Sequence, residues 1–553
     1  MIVPDKPILS VRDLTVDFLS ESDPARAVDD VSFHVWRGET LVILGESGSG
    51  KSVSTGTVMG LIDCPPGHVV SGSVCFDGSD LCTLGAERRR RLNGARIAMI
   101  FQDPLAYLNP VYTVGRQIAE VFESHDAGEG KPVREKVIDL LRRVGIPDAE
   151  KRVDYFPHQF SGGQRQRVMI AMAIALKPDV LIADEPTTAL DLSVQAQILE
   201  LLRELQRETG MALIMITHDL EVAAAMADRI IVMNRGKVVE SGRAEEVFTG
   251  PNHVYTRRLM SAALRARSEM QKARSVTGDD VLLRVEHLSK HYMLGAKVFS
   301  RKEEFRAVDD VSFSVRRGET LGIVGESGSG KSSVARMLLR LNEPTAGKAI
   351  FDGQDIFKLH GPALNSFRRR VQMVFQDPFG SMNPRMTIGS IVAEPWAIHK
   401  DVLPKSRWKD RVVELLDLVG LEAKHADRYP HQFSGGQRQR IAIARALASE
   451  PELIVCDEAV SALDVSIQLQ VIELLADLRC RLGLSYIFIT HDLPIVRQFA
   501  DRVLVMQRGR IVEENDVESL FQAPRHAYTR LLLQAMPRPK WLEHEGVGRE
   551  GAL

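Results

Sequence analysis

Cysteine is scarce in this 553-residue chain, and its placement excludes two kinds of site. The five residues are scattered, and no pair has the C-x₂-C spacing of a zinc site; they are Cys64, Cys75, Cys82, Cys456 and Cys480. The sequence therefore supports neither a zinc centre nor a disulfide framework. Such sparing use of cysteine fits a reducing cytoplasm.

Long apolar runs and a strong net charge are also missing. No stretch approaches the roughly 18 apolar residues of a membrane span, and MIVPDKPILS does not resemble a signal peptide. The 71 basic residues nearly balance the 73 acidic ones, which argues against a large nucleic-acid footprint. We interpret the basic run Arg88–Arg91 as a solvated helix face.

The sequence GESGSGKS is present twice, at Gly45–Ser52 and at Gly325–Ser332. Glycines in such a loop let backbone N–H groups point at phosphates, while the Lys reaches the outer phosphates and the Ser binds Mg²⁺. The predicted ATP-binding residues here are Gly45, Glu46, Ser47, Gly48, Ser49, Gly50, Lys51, Ser52, Gly325, Glu326, Ser327, Gly328, Ser329, Gly330, Lys331 and Ser332. Two loops indicate two nucleotide sites.

The flanks of each loop have the pattern of a strand and a helix. Thr40–Leu44 is an apolar run typical of a buried strand, and Val53–Leu61 is predicted to be a helix whose N-terminus faces the phosphates. Further along, Val180–Ala183 and Leu213–Ile216 are predicted strands separated by an amphipathic helix over Val194–Glu208. That order predicts an α/β domain with a mainly parallel sheet, and residues 107–157 are predicted to form a helical subdomain.

The repeat extends over a whole domain. Ala27–Phe33 returns as Ala307–Phe313, and Phe101–Pro104 returns as Phe375–Pro378. This is a tandem duplication rather than a short-period solenoid. We predict a first domain at 1–264, a linker at 265–280, a second domain at 281–536 and a disordered tail at 537–553.

Each copy carries a set of residues suited to phosphoryl transfer. An Asp-Glu pair ends an apolar strand, where the Asp can hold Mg²⁺ and the Glu can polarise an attacking water. A Gln in a loop can sense the γ-phosphate and Mg²⁺, and a His after a second strand can bond the γ-phosphate. The predicted catalytic residues are Glu185, Glu458, His218, His491, Gln102 and Gln376, and the predicted Mg²⁺ ligands are Ser52, Gln102, Asp184, Ser332, Gln376 and Asp457.

A second glycine-containing motif precedes helix-forming sequence in each copy. It comprises Ser161, Gly162, Gly163 and Gln164, and again Ser434, Gly435, Gly436 and Gln437. One interpretation is a plain helix cap. The other is a second phosphate-binding device that serves the nucleotide of the other half.

These motifs together resemble those of ATP-binding cassette (ABC) ATPases. GESGSGKS resembles Walker A, VLIADE and LIVCDE resemble Walker B, and FSGGQ resembles the signature, with Phe in place of the commoner Leu. The resemblance implies two tandem P-loop NTPase domains, each with an antiparallel β part, that sandwich ATP between Walker A of one and the signature of the other. It also implies that Asp191 and Asp464 cross that interface and that Phe18 and Tyr292 stack on adenine. One departure is Ala459, which follows the second Glu where the family usually has Pro.

A third repeated element points to a subgroup. His253–Arg257 and His526–Arg530 resemble the C-terminal HPYTR element of oligopeptide, dipeptide and nickel importer ATPases. The resemblance implies a peripheral ATPase on the cytoplasmic face of the inner membrane. It would use ATP and Mg²⁺, with two permease subunits and an extracytoplasmic solute-binding protein as partners and no nucleic acid. No Cys lies between Cys82 and Cys456, so the iron–sulfur cluster of some members is not expected.

Three other functions are compatible with some of these motifs. Tandem cassettes of translation usually have a long, charged helical arm between the halves, and residues 265–280 are too few to supply it. Tandem cassettes of DNA repair carry zinc-binding cysteines, which this sequence lacks. A nucleotide-gated scaffold without activity would need one catalytic Glu to be missing, yet both are present.

Overall fold

The computed structural model describes residues 6–19, 25–125, 132–188, 190–260, 280–294, 303–377, 380–461 and 463–542. These residues form two compact units. The first contains those up to 190, those from 194 to 260 and those from 536; the second contains 191–193 and 280–535. The predicted linker lies outside the described residues except for Asp280.

The first half of the chain has two sheets built from β-branched and aliphatic runs. The strands are β1 (Leu9–Phe18), β2 (Ala25–Val35), β3 (Thr40–Leu44), β4 (Gly67–Phe76), β5 (Ser79–Asp80), β6 (Ile97–Ile100), β7 (Val180–Asp184), β8 (Ala212–Thr217), β9 (Arg229–Asn234) and β10 (Lys237–Arg243). A six-stranded sheet has the order β10-β9-β3-β8-β7-β6, and a four-stranded antiparallel sheet has the order β2-β1-β4-β5. Only β9 and β10 pair antiparallel in the larger sheet.

Helices cover the parallel sheet and form the predicted helical subdomain. Every residue of β3, β7 and β8 is buried, as expected of strands covered on both faces. The α-helices of this half that lie wholly within the described residues are Lys51–Met59, Ala86–Leu92, Pro104–Tyr107, Val114–Ser124, Val133–Arg143, Ala149–Arg152, Gly162–Ile174, Leu192–Thr209, Leu220–Met226 and Ala244–Thr249. The first of them begins two residues before the predicted start, because Gly50 adopts a left-handed φ of 94° and turns the chain directly into the helix.

The second half repeats this architecture. Its strands are β11 (Val281–Leu294), β12 (Glu303–Arg316), β13 (Thr320–Val324), β14 (Ala346–Phe351), β15 (Gln354–Asp355), β16 (Val371–Val374), β17 (Leu453–Asp457), β18 (Ser485–Thr490), β19 (Arg502–Gln507) and β20 (Arg510–Asp516). The sheet orders are β16-β17-β18-β13-β19-β20 and β12-β11-β14-β15. The α-helices are Lys331–Leu338, Gly361–Arg370, Ile388–Ile398, Trp408–Leu418, Gly435–Leu447, Val465–Leu482, Leu493–Phe499, Val517–Gln522 and Ala527–Gln534. The predicted fold class is confirmed.

A hydrophobic core of the first unit is built from residues of both of its sheets. Val11 and Leu14 of β1 are buried together with Ile43 of β3, Val58 of the following helix and Ile182 of β7. Apolar burial of this kind contributes about 25 cal/mol per Å² and fixes the helix that begins at Lys51 against the parallel sheet. Across the described residues, no helix is both long and apolar enough to cross a bilayer.

The chain's last described residues belong to the first unit. A short 3-10 helix at Lys540–Leu542 places the Trp541 ring 5.5 Å from that of Phe248, and Lys540 Nζ lies 2.6 Å from Asp228 Oδ1. Residues 537–542 of the segment predicted as a disordered tail are therefore among the described residues. Its remainder, 543–553, lies outside them.

The basic run at 88–91 is only partly the solvated face that we expected. Arg88, Arg90 and Arg91 are exposed, but Arg89 is half-buried and donates to the carbonyl oxygens of Thr57 and Val58, and to that of Leu81 at 2.7 Å. Its guanidinium thus satisfies carbonyls at the end of the helix that follows the phosphate loop.

We predict that Arg89→Met destabilises the end of the helix Lys51–Met59. The change leaves partly buried carbonyl oxygens without their charged donor, which costs about 1–3 kcal/mol of local stability. Hydrogen exchange of the helix amides measures this loss. Arg88→Met, at an exposed neighbour, is the control, and equal protection in both variants would contradict the capping role.

Candidate active site

The order of the parallel strands brings the predicted site residues of the first half to one edge. Strands β3, β8, β7 and β6 are consecutive neighbours and run parallel, so their carboxyl ends meet at one edge. The phosphate loop follows β3 and His218 follows β8. Asp184 ends β7 with Glu185 directly after it, and Gln102 follows β6. Ligands of open α/β sheets bind at this edge.

The second half assembles the same set. Strands β13, β18, β17 and β16 are again neighbours and parallel. They deliver the second phosphate loop, His491, the pair Asp457-Glu458 and Gln376 in that order. Residues that lie far apart in sequence thus form one cluster in each half.

Each phosphate loop is held in a shape that favours glycine at two positions. Gly48 and Gly50 have φ of 76° and 94°, and a Cβ on Gly50 would lie 2.4 Å from the carbonyl oxygen of Ala27. Lys51 is 5% exposed, and its Nζ donates to the carbonyl oxygens of Gly45 at 2.7 Å and Glu46 at 2.8 Å. The ammonium group is therefore fixed across the loop.

The loop of the second half has the same geometry. Lys331 Nζ donates to the carbonyl oxygens of Gly325 at 2.6 Å and Glu326 at 2.8 Å. Burial lowers the pKa of Lys331, although nearby carboxylates oppose this shift. A buried ammonium beside several carboxylates is suited to neutralising the phosphate charge of a nucleotide.

The aspartate at each strand end fits a divalent cation. Asp184 is 7% exposed, burial raises its pKa, and its Oδ1 has no hydrogen-bond partner among the described residues. In the second half, Ser332 Oγ donates to Asp457 Oδ1 at 3.0 Å. The two residues predicted to bind Mg²⁺ through a hydroxyl and a carboxylate are therefore in direct contact. Oxygen donors of this kind are what Mg²⁺ prefers.

Three side chains hold the carboxylate of Glu185. Gln102 Nε2 donates to its Oε2 at 2.7 Å, Thr188 Oγ1 donates to the same oxygen at 2.9 Å, and His218 Nδ1 lies 2.9 Å from Oε1. Burial raises the pKa of Glu185, but the bonds with His218 and Thr188 outweigh it, so the pKa is lowered overall. The carboxylate is therefore anionic at neutral pH and able to polarise a water.

The Glu458 carboxylate has a similar environment. Gln376 Nε2 donates to Oε2 at 2.7 Å, and His491 Nδ1 lies 3.4 Å from Oε1. The bond with His491 is the main cause that lowers the pKa of Glu458. Burial lowers the pKa of His491, but Glu458 outweighs it and raises the pKa overall. Both predicted Gln residues thus contact the predicted catalytic Glu of their half through their amide nitrogens.

Thr188 is a contact that sequence reasoning missed. The signal for it in the sequence is that a residue with a hydroxyl follows the Glu by three positions in both copies, as Thr188 and as Ser461. The two hydroxyls act differently, because Ser461 Oγ donates to the backbone oxygen of Glu458 at 3.0 Å rather than to its carboxylate.

Ala459 stands where the family usually has Pro, yet the backbone of the preceding Glu458 has the same conformation as that of Glu185. Glu185 and Glu458 have left-handed φ of 46° and 48°, and their N–H groups donate to Ile216 and Ile489 at 2.9 Å in both cases. Such a conformation is uncommon for a residue with a Cβ, and the bond to the adjacent strand holds it in place.

The signature segments are helix starts in the structure. Ser161 Oγ accepts from Gln164 N at 3.4 Å, and Ser161 N donates to Gln164 Oε1 at 3.2 Å; Ser434 and Gln437 repeat this box. A Cβ on Gly163 would lie 2.4 Å from Val194, so that glycine also permits close packing. The Ser of each signature segment is thus a helix cap, as the first interpretation predicted. Because this Ser and the Gly after it are exposed, the helix N-terminus is also open to an anion.

The remaining predicted residues lie on separate elements. Phe18 ends β1 and is partly buried against the core, whereas Tyr292 on β11 is more exposed and has Lys290 Nζ 5.2 Å from its ring centroid. Asp191 and Asp464 each directly precede a long helix. Among the described residues, no hydrogen bond or ring contact joins Phe18 or Tyr292 to the phosphate loop of its half.

Comparison with protein families identifies the class. The model described as ABC transporter matches residues 28–188 and 308–461, and the chain belongs to this family. It is an ATPase with two ATP-binding cassettes. The model described as Oligopeptide/dipeptide transporter, C-terminal region, matches residues 239–290 and 512–552, so each cassette carries the C-terminal region of that group.

Several curated relatives span nearly the whole chain. It is 45% identical to the glutathione import ATP-binding protein GsiA of Escherichia coli (strain K12), covering 96% of this chain and 89% of the relative. It is also 45% identical to the peptidoglycan transport ATP-binding protein YejF of Agrobacterium fabrum, covering 98% and 99%. A solved dimeric structure of the ATP-binding cassette MJ0796 bound to ADP and Pi is 30% identical and covers 42% of this chain and 98% of that one, with a TM-score of 0.39.

We predict that Thr188→Val shifts the acid limb of the ATPase pH profile to higher pH. Removing a donor to the Glu185 carboxylate raises the pKa of that group, so the active anion is lost sooner on acidification. Turnover near pH 7 should fall by at most about tenfold. Steady-state ATPase measurements across pH check this.

Ser461→Ala is the matched control, because its hydroxyl bonds the backbone of Glu458 and not the carboxylate. The acid limb should stay in place for this variant. Equal shifts in the two variants would show that the Thr188 hydroxyl does not act through the Glu185 carboxylate.

Proposed function

We propose that this protein is the ATP-hydrolysing subunit of a binding-protein-dependent importer for peptides or related small solutes, such as glutathione. The observation that carries the proposal is the pairing of two cassettes with two oligopeptide/dipeptide C-terminal regions in one chain. Full-length relatives named for glutathione import and peptidoglycan transport support it. The same observations disfavour a translation or DNA-repair protein.

The proposed reaction is attack of water on the γ-phosphate of ATP in each half. Glu185 and Glu458 orient and polarise the water, while Lys51 and Lys331 neutralise phosphate charge. Mg²⁺, held by the Ser and Asp of each half, would supply further charge neutralisation at the phosphates. Gln and His next to each Glu hold its carboxylate in place.

We also propose that each signature helix start serves the nucleotide of the other cassette. The argument is chemical and comes from the sequence motif: Ser, glycine N–H groups and a helix N-terminus form an anion site. Each phosphate loop already has its own helix N-terminus, at Lys51 or Lys331, so the signature helix start is a second, separate anion-binding device in the same cassette. Asp191 and Asp464 would take part in the same arrangement.

The proposed partners are two permease subunits, contacted at surfaces near Gln102 and Gln376, and an extracytoplasmic solute-binding protein. In the second half a groove of about 750 Å³ is lined by Phe375, Gln376, Glu394, Ile398 and Arg445, among others. A permease segment seated there would touch Gln376, whose amide bonds the catalytic Glu458. Movement of that segment and ATP hydrolysis would then be linked through one side chain.

The corresponding surface of the first half is apolar and exposed. Leu105, Tyr107, Val111 and Tyr112 are all exposed, and the Tyr107 ring stacks on Phe101 at 3.8 Å, next to Gln102. Exposed apolar side chains in one patch are typical of an interaction surface. The proposed place of this protein is therefore the cytoplasmic face of the inner membrane, attached through the permease subunits.

We predict that the double variant Glu185→Gln, Glu458→Gln binds ATP but hydrolyses it about 10²–10⁴-fold more slowly, because an amide cannot act as a base. Equilibrium binding of ATP and steady-state phosphate release measure the two properties. The control is Glu204→Gln, an exposed carboxylate away from the site. Unchanged turnover in the double variant would remove both Glu residues from the mechanism.

Co-purification tests the proposed partners and substrate class. Tagged wild-type protein purified from gently solubilised membranes should retain two permease subunits, and the solute-binding protein of the same system should bind peptides or glutathione in calorimetry. Recovery of ribosomes or of DNA-repair proteins in place of a permease would overturn the importer assignment.

The groove supplies a variant for the same experiment. Ile398 is 72% exposed at its rim, so Ile398→Arg should reduce permease recovery by at least about tenfold while ATP binding by the purified chain persists. Leu482→Arg, at a residue 49% exposed outside the groove, is the control. Full permease recovery with the first variant would place the docking surface elsewhere.

A further inference from the structure

The first residue of the repeated His-x-Tyr-Thr-Arg element caps a helix in both halves. In both halves the His precedes a helix and its Nδ1 accepts from the backbone N–H of the Tyr, His253 from Tyr255 and His526 from Tyr528, each at 3.2 Å. The His is thus a helix cap.

A buried carboxylate anchors the same element to the strand before it. Glu513 of β20 is 7% exposed, and its two oxygens accept from the backbone N–H groups of Arg525 at 2.8 Å and His526 at 2.9 Å. In the first half Glu240 accepts from Asn252 and His253 in the same way, at 2.7 and 3.1 Å. The element therefore has a fixed position on its own unit.

The tyrosine of the second half reaches beyond this local structure. The Tyr528 hydroxyl accepts a hydrogen bond from the backbone N–H of Glu326 at 3.1 Å, across 202 residues of sequence. Glu326 is the second residue of the phosphate loop. Tyr528 is 6% exposed, and burial raises its pKa to about 12, with the Glu326 carboxylate adding to the shift, so the phenol stays neutral at physiological pH.

This contact lies next to the lysine that spans the loop. The carbonyl oxygen of Glu326 accepts from Lys331 Nζ at 2.8 Å, while its N–H donates to Tyr528. Both backbone polar groups of Glu326 are thus bonded, the carbonyl oxygen by the lysine and the N–H by the C-terminal element. Leu532, one helical turn after Tyr528, borders a small cavity together with Gly325 and His491.

We propose that Tyr528 is a positioning residue for ATP binding by the second cassette: its hydroxyl holds the first turn of the phosphate loop in the shape that receives phosphate. The C-terminal element then acts on nucleotide affinity in addition to any role in partner binding. Without the hydroxyl, the Glu326 N–H needs water as its acceptor, and the loop has more conformations to lose when ATP binds.

The test is Tyr528→Phe in the full chain, read separately at each cassette. Photolabelling with 8-azido-ATP and Mg²⁺ at increasing concentration, followed by peptide mapping, gives a half-saturation value for each half. We expect the value for the second cassette to rise about 3- to 10-fold and that for the first to stay unchanged. Turnover at saturating ATP should return to the wild-type value, because the change affects binding and not the Glu458 carboxylate.

Tyr486→Phe is the matched control. That residue is fully buried in the same unit, and its hydroxyl has no hydrogen-bond partner among the described residues. Its removal should leave both half-saturation values unchanged. An unchanged value for the second cassette in Tyr528→Phe, or an equal rise in both cassettes, would overturn the proposal. The purified chain suffices for this test, so its outcome is independent of whether the protein imports peptides.

Discussion

The active site in each half depends on one constraint, the parallel order of four neighbouring strands. Because parallel strands end at the same edge, β3, β8, β7 and β6 deliver the phosphate loop, the His, the Asp-Glu pair and the Gln within contact distance. Gln102 and Glu185 lie 83 residues apart in sequence, yet their side chains are 2.7 Å apart. An antiparallel pairing anywhere in this set would send one of these groups to the opposite edge.

The predicted catalytic carboxylate of each half shows how the site balances two opposing effects. Burial favours the neutral acid, whereas the hydrogen bonds at Glu185 and Glu458 favour the anion and prevail. The pKa values of the adjacent Asp184 and Asp457 are raised instead, because burial is the largest effect on both and fewer hydrogen-bond donors oppose it. A bound cation would remove that penalty. Two neighbouring acids thus have pKa shifts of opposite direction because their environments differ.

The two cassettes are alike in topology but differ in the contacts around the shared chemistry. Thr188 bonds the Glu185 carboxylate, whereas Ser461 bonds a backbone oxygen. Tyr107 stacks on Phe101 in the first half, whereas in the second half Ser381 is bonded by Arg445 beside an open groove. The same topology thus carries different side-chain contacts around the site in the two halves.

The sequence by itself determined the duplication and the fold class, and it predicted the bounds of the three strands proposed in the first half to within a residue. It also singled out the loop, Asp, Glu, Gln and His residues that the structure brings together in each half. These features are local, because a buried strand and a glycine-rich loop follow from composition and backbone sterics over a few residues. Only the tertiary structure decided that Arg89 caps a helix, that Thr188 bonds the Glu185 carboxylate and that Tyr528 bonds the phosphate loop. Each of these needs a side chain to meet an atom fixed by the packing of another element, and no spacing in the sequence records that distance.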